Sequence, residues 1–177
     1  MYRIGTEIHG HLMQMRGIAD QCSITGLELL FIGGIRLTVD GEEVDLPSKL
    51  TYKGMMLDGV PNLALAVGYT NASWTLKCDL SCDYVCRLLN HMRETGQQQC
   101  TPVNEDASVT SAPLLGLTSG YVQRSAARFP KQGSKFPWQV HQSYLRDYRA
   151  MKLRGVEDEA MVFSNPIPSR TAARAAS

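Results

Sequence analysis

The sequence predicts an α/β protein, and three observations predict it. Residues 35–46 alternate apolar and polar side chains around an Asp-Gly pair. Residues 62–67, NLALAV, form a continuous apolar run stopped by Gly68. Residues 72–95 carry apolar side chains at helical spacing. An Asp-Gly pair between alternating runs marks a β-hairpin, because both turn positions need positive φ. A short run that is apolar throughout is expected inside a parallel sheet covered on both faces.

Ile35, Leu37 and Val39 alternate with Arg36 and Thr38, and Val44 and Leu46 alternate with Glu43 and Asp45. Pro47 and Ser48 close this unit, and Gly54 and Gly59 break the loop at 49–61. The helix at 72–95 is expected to bury Cys78, Cys82, Val85, Leu89 and Met92, with Leu88 beside them. Arg87, Asn90 and Arg93 fall on the opposite side, Asn71 or Ser73 serves as N-cap, and Gly96 ends the helix.

The remaining segments are less regular. Residues 1–22 show neither period and are expected to be disordered or foreign to the domain. Residues 23–33 read as a short strand or loop leading into the hairpin. Residues 97–119, rich in Gln, Thr, Ser and Pro, read as a surface loop, and 120–128 as one short helix. Val140, Tyr144, Tyr148 and Met151 predict a second helix over 138–153. Residues 156–163 read as a last extended piece and 164–177 as disordered.

With 177 residues, 44% hydrophobic and 20% charged, the chain has the composition of one globular domain. No apolar run approaches the ~20 residues that span a bilayer. The N-terminus lacks the apolar core of a secretory signal, so a cytoplasmic protein is expected. An odd count of five cysteines argues for free thiols. Cys78, Cys82 and Cys86 stand at i, i+4 and i+8, but helix rise puts the outer two ~12 Å apart. Zinc–sulfur bonds of ~2.3 Å cannot reach both, so no metal site is expected. His9 and His11 lack a second ligand pair.

The charge is uneven. Net charge is −3 over residues 1–60, −2 over 61–120 and +6 over 121–177. The basic third interleaves Phe129, Phe136, Trp138, Tyr144 and Tyr148 with Arg and Lys. That pattern admits a non-catalytic module binding nucleic acid or a protein partner. An arm that packs its aromatics on the domain and leaves its charges in water is the preferred reading, so nucleic acid is not the expected partner.

For chemistry, the corner at Gly68 stands out. Ligands of open α/β sheets sit beyond the strand ends, where a helix N-terminus offers free N–H groups and partial positive charge. Gly68 permits close approach. Tyr69, Thr70, Asn71 and Ser73 offer hydrogen bonds, and Tyr69 and Trp74 can stack on a flat ring; an ordinary strand–helix corner fits the same residues. No two glycines stand two apart, so the usual dinucleotide loop is absent. Gly54 and Gly59 are spaced like a P-loop, but Val60 replaces its lysine. No G-x-S-x-G occurs, and His91 and His141 lack an obvious nucleophile and are expected at the surface.

Taken together, these stretches are familiar. TYKGMMLDGVPNLALAVGYTNASWTLKCDLSCDYVCRLLNHM closely resembles the C-terminal part of flavin-containing, Baeyer–Villiger-type monooxygenases of the group that activates ethionamide in mycobacteria. SGYVQRSAARFPKQGSKFPWQVHQSYLRDYR resembles the tail of that group, with PKQGS and the following Pro-Trp as its signature. ITGLELLFIGGIRLTVDGEEVDL resembles the return from the NADPH domain, with Ile24 at the first position of an Ala-Thr-Gly motif. The likeness covers residues 23–163.

The resemblance implies a partial Rossmann-type FAD domain: hairpin, one buried parallel strand, following helix and a basic, helical or irregular tail. It implies a core over 23–96 and a family-type tail over 97–163. It further implies FAD and NADPH as cofactors, and oxygenation of ketones, sulfides or thioamides by a flavin hydroperoxide. By that match Gly68, Tyr69, Thr70, Asn71, Trp74, Thr75 and Leu76 line the flavin side; no catalytic residue carries over. Both glycine fingerprints, the F-x-G-x-x-x-H signature and the active-site arginine region of the family are absent. The expectation is therefore the last third of such an enzyme, inactive alone, whose natural partner is the missing N-terminal part.

Overall fold

The computed structural model describes residues 14–16, 36–114 and 126–165. Three strands make the first sheet: β1 (Gln14–Arg16), β2 (Arg36–Val39) and β3 (Glu42–Glu43), in that spatial order and antiparallel throughout. Asp40 and Gly41 have φ of 54° and 88°, the two positive values that the Asp-Gly signal requires of a type I′ turn. Strand β1 falls inside 1–22, where disorder was expected. The readings of 23–33 and 166–177 lie outside the described residues.

Strands β4 (Thr51–Tyr52) and β5 (Met56–Leu57) form a tight antiparallel pair. The next segment departs from expectation. Residues 62–67 are not a buried parallel strand. They belong to no ladder, and every named ladder among the described residues is antiparallel. Leu63 is buried, Leu65 and Val67 are half-buried, and Ala64 and Ala66 face solvent. A parallel strand needs neighbours on its edges, and none of the described residues supplies them. The segment is instead held by isolated bonds, Asn62 N–H to the Cys100 carbonyl and Leu65 N–H to the Met55 carbonyl.

Helix α1 runs from Trp74 to Thr95 and ends on Gly96, which takes the left-handed conformation (φ 68°) and donates its N–H to the Met92 carbonyl. Its buried face differs from the predicted one. The core side chains are Lys77, Leu80, Ser81, Tyr84, Leu88 and Met92. Cys82, Cys86 and Leu89 face solvent, and Cys78 and Val85 are half-buried. Two apolar stripes run along this helix, and a lysine interrupts the one that is buried. Arg87, expected on the solvent side, donates to the Met151 and Arg154 carbonyls.

The tail also corrects the sequence reading. Within the supposed loop 97–119, strand β6 (Gln99–Pro102) pairs antiparallel with β9 (Met161–Ser164). Strand β7 (Ser111–Pro113) pairs with β8 (Lys131–Gly133), inside the PKQGS stretch. Both pairings join strands from separate parts of the chain, and each strand is only three or four residues long. The helix expected over 138–153 shrinks to α2 (Tyr144–Tyr148), followed by a π-helical turn over Arg149–Leu153. Gln142, at φ 49°, stops any helix starting earlier. Tyr144 and Tyr148 stack on each other at 5.9 Å instead of entering the core.

The main core gathers Tyr52, Met55 and Met56 from the β4–β5 unit, Leu80, Tyr84 and Leu88 from α1, and Trp138, Met151 and Met161 from the tail. A smaller cluster joins Leu37, Leu57, Val60 and Leu63. No helix among the described residues is long and apolar enough to cross a membrane.

Candidate functional site

The corner at Gly68 is built around one indole. Gly68 is buried, and a Cβ there would overlap the Trp74 ring. Glycine is thus required by close approach, but what approaches is a side chain of the same corner. Trp74 remains 55% exposed on its other side, and Leu76 is 42% exposed. Ser73 caps α1 without a side-chain capping bond, and its hydroxyl instead meets Thr75 Oγ1 at 2.9 Å. No acidic residue stands in the first turn. The backbone N–H groups at this end therefore lack a side-chain acceptor from the N-cap, and the helix field is not offset by a first-turn carboxylate.

The other three predicted residues are turned towards the tail. Tyr69 is buried, and its hydroxyl donates to Asp147 Oδ2 at 2.7 Å. Thr70 donates its N–H and its hydroxyl to Gln142 Oε1, at 3.0 and 3.2 Å. Asn71 donates from Nδ2 to the Gln142 carbonyl at 3.0 Å. So the structure brings Trp74, Thr75 and Leu76 to an open surface and uses Tyr69, Thr70 and Asn71 to hold the loop in place.

Two buried lysines complete the arrangement, and sequence reasoning missed both. Lys77 Nζ lies 2.9 Å from the same Asp147 Oδ2, with both side chains buried. Lys53 Nζ lies 3.0 Å from Asp158 Oδ2 and donates to the Tyr84 hydroxyl at 2.7 Å. Tyr52 donates to Asp158 Oδ2 at 2.7 Å, and its oxygen is 3.0 Å from that of Tyr84. The Lys53 ammonium also sits over the Tyr52 and Tyr84 rings. Burial lowers the pKa of each lysine, and the partner aspartate opposes that shift. Burial first, then the neighbouring acids and phenols, raises Tyr52 and Tyr69; burial raises Tyr84. Each lysine ties a core element to an acid of the tail. The one available signal was Lys77 itself, placed in register with Leu80, Tyr84 and Leu88.

His91 is half-buried against Phe163, with Nε2 3.1 Å from Glu157 Oε1. An open cleft beside the C-terminal half of α1, lined by Arg87, His91, Glu94 and Val156, shares no residue with the Gly68 corner. No cluster of three or more potential ligands is placed to hold a metal among the described residues. Of the tail aromatics, Phe129 and Trp138 are buried, while Phe136, Tyr144 and Tyr148 are partly exposed. The nucleic-acid reading thus loses two of its five stacking platforms.

Comparison with known proteins places the chain among relatives. The FAD-containing monooxygenase EthA of Mycobacterium tuberculosis is 47% identical over 145 residues, 81% of this chain and 30% of that protein. The probable FAD-binding monooxygenase AlmA of Acinetobacter baylyi is 43% identical over 142 residues, 80% of this chain and 28% of that protein. The putative FAD-containing monooxygenase MymA of M. tuberculosis is 43% identical over 150 residues, 84% and 30% respectively. The chain spans about 30% of the length of the curated relatives it matches. No family model matches it, and no solved structure does. The chain is a homologue of FAD-containing monooxygenases. It corresponds to a C-terminal portion of such an enzyme.

Proposed function

We propose that this chain forms the flavin-side wall of an FAD- and NADPH-dependent monooxygenase acting on ketones, sulfides or thioamides, and that it is inactive alone. The observation that carries the reading is 47% identity to an FAD-containing monooxygenase over 81% of the chain. The open end of α1 supports it. When bound, the flavin supplies the oxygen chemistry, and the protein positions and shields it.

The residues present fit one side of such a ring. The Trp74 indole offers an exposed flat surface, and Thr75 and Leu76 are exposed beside it. Backbone N–H groups of the first turn of α1 favour negative charge there. Gly68 lets the indole lie against the backbone. Tyr69, Thr70 and Asn71 act through the tail: Asp147 and Gln142 hold the loop, and the loop aims the helix. No phosphate-binding glycine loop accompanies this wall, so the chain alone lacks a pyrophosphate anchor.

The test is purification of the 177-residue chain with added FAD. The expected result is no stoichiometric yellow flavin after gel filtration and no NADPH oxidation above background. One flavin per chain together with NADPH turnover would overturn the claim of inactivity.

A further inference from the structure

The tail carries a ridge that is apolar at its crest and cationic along its flanks. Leu145 and Leu153, 73% and 69% exposed, are the two most exposed large apolar side chains among the described residues. Leu145 stands in α2, and Leu153 ends the π-helical turn that follows. With Arg149 they fall at i, i+4 and i+8, so the three line one side of this continuous helical segment. Its buried side is Asp147, Ala150 and Met151. Tyr144 and Tyr148 are partly exposed beside the crest, with their rings 5.9 Å apart.

The charge around this ridge is one-signed. Residues 107–156 hold eight Lys or Arg and a single acid, Asp147. That acid is buried against Lys77, so it offsets nothing at the surface. Lys152 pairs with Asp83 of α1 at 2.8 Å. Arg146, Arg149 and Arg154 are exposed, and no carboxylate pairs with any of them among the described residues. The Arg154 guanidinium lies over the Phe136 ring, 4.7 Å from its centre, and Phe136 is itself partly exposed.

We propose that this ridge docks on the surface of an anionic bilayer. Leu145 and Leu153 enter the boundary between headgroups and acyl chains, and Tyr144 and Tyr148 sit at headgroup level. Arg146, Arg149 and Arg154 meet the lipid phosphates. A nucleic-acid strand would account for the arginines but would leave both leucines in water. Docking is peripheral, since no helix among the described residues is long and apolar enough to cross a membrane. The ridge shares no residue with the Gly68 corner, and the inference does not depend on flavin chemistry.

The experiment is flotation of the purified 177-residue chain with unilamellar vesicles, which separates lipid-bound protein from aggregate. One set is phosphatidylcholine alone, and the other contains about 30% phosphatidylglycerol to give a negative surface. At ~0.1 M salt the chain is expected to partition at least about tenfold better onto the anionic set. That excess is expected to collapse at ~1 M salt, where the screening length is ~3 Å. Arg146→Gln combined with Arg149→Gln is expected to lower anionic binding about tenfold or more. Leu145→Ser combined with Leu153→Ser is expected to lower it about tenfold at unchanged charge. Lys135→Gln, at a charge that Asp106 already matches at 3.2 Å, is expected to leave it unchanged. Circular dichroism of each variant is expected to match the parent chain, because these side chains are exposed.

Equal partitioning of the parent chain onto both vesicle sets overturns the proposal without any variant. So does anionic binding that ignores either pair, because the ridge is then not the contact. Binding to a single-stranded oligonucleotide that the arginine pair abolishes, with none to vesicles, also overturns it and assigns the ridge to nucleic acid.

Discussion

Lys77 Nζ and Asp147 Oδ2 are 2.9 Å apart, and almost no water reaches either side chain. The lysine stands in the first turn of α1, and the acid stands in α2. The same acid oxygen accepts the Tyr69 hydroxyl at 2.7 Å. One carboxylate therefore joins the long helix, the loop before it and the tail.

Removing one side of this pair leaves a buried charge unmatched. Lys77→Met is expected to destabilise the chain by about 3–5 kcal/mol, and Asp147→Leu by a similar amount. The double variant is expected to recover most of either loss, because an apolar pair replaces the ion pair. Tyr69→Phe removes only a hydrogen bond to a charged group, about 1.5–3 kcal/mol. Urea midpoints of the four variants check the cycle. Additive losses in the double variant would mean that the two residues are not coupled.

The Gly68–Trp74 contact predicts a second cycle. Gly68→Ala drives a methyl into the indole and is expected to cost about 1–3 kcal/mol. In a Trp74→Ala background the same change is expected to cost less than about 0.5 kcal/mol. An equal cost in both backgrounds would place the strain elsewhere.

Three buried phenols set a limit at high pH. Tyr52, Tyr69 and Tyr84 have folded pKa values above the ordinary 10.0. Above pH 10 the unfolded chain releases these protons and the folded chain keeps them. Fewer protons are bound in the unfolded state, so stability falls as pH rises. The lowered Lys53 and Lys77 act in the opposite sense, up to their ordinary value of 10.5. Ultraviolet titration of the seven tyrosines is expected to show these three ionising only as the chain unfolds. Smooth titration of all seven in a folded chain would refute it.

The thiols are expected to divide by position. Burial pushes Cys100 up to about 11, whereas Cys82 and Cys86 are exposed on α1. At pH 8, iodoacetamide is expected to label Cys82 and Cys86 roughly a hundredfold faster than Cys100. Urea should erase the difference. Mass spectrometry of timed digests gives the rates, and fast labelling of Cys100 would mean that β6 is not packed as described.

The hairpin and the long helix were legible because their signals are local. Asp40-Gly41 determines its own turn, and Gly96 determines its own cap. The pairs β6–β9 and β7–β8 were not legible, since each joins short strands from separate parts of the chain; only the extended piece read over 156–163 overlaps one of them, β9. Tyr69, Thr70 and Asn71 were read as facing a ligand because their chemistry suits one. Their engagement by Gln142 and Asp147, more than seventy residues onward, is invisible to local spacing.

The sequence by itself determined the likeness to the family, the turn at Gly41, and a long helix read over 72–95 with one apolar face. Only the tertiary structure decided which side of that helix enters the core. It did so through Lys77, which buries its charge because Asp147 waits on the tail. A buried cation is stable only where its counter-ion is placed, and that placement is a property of the folded chain.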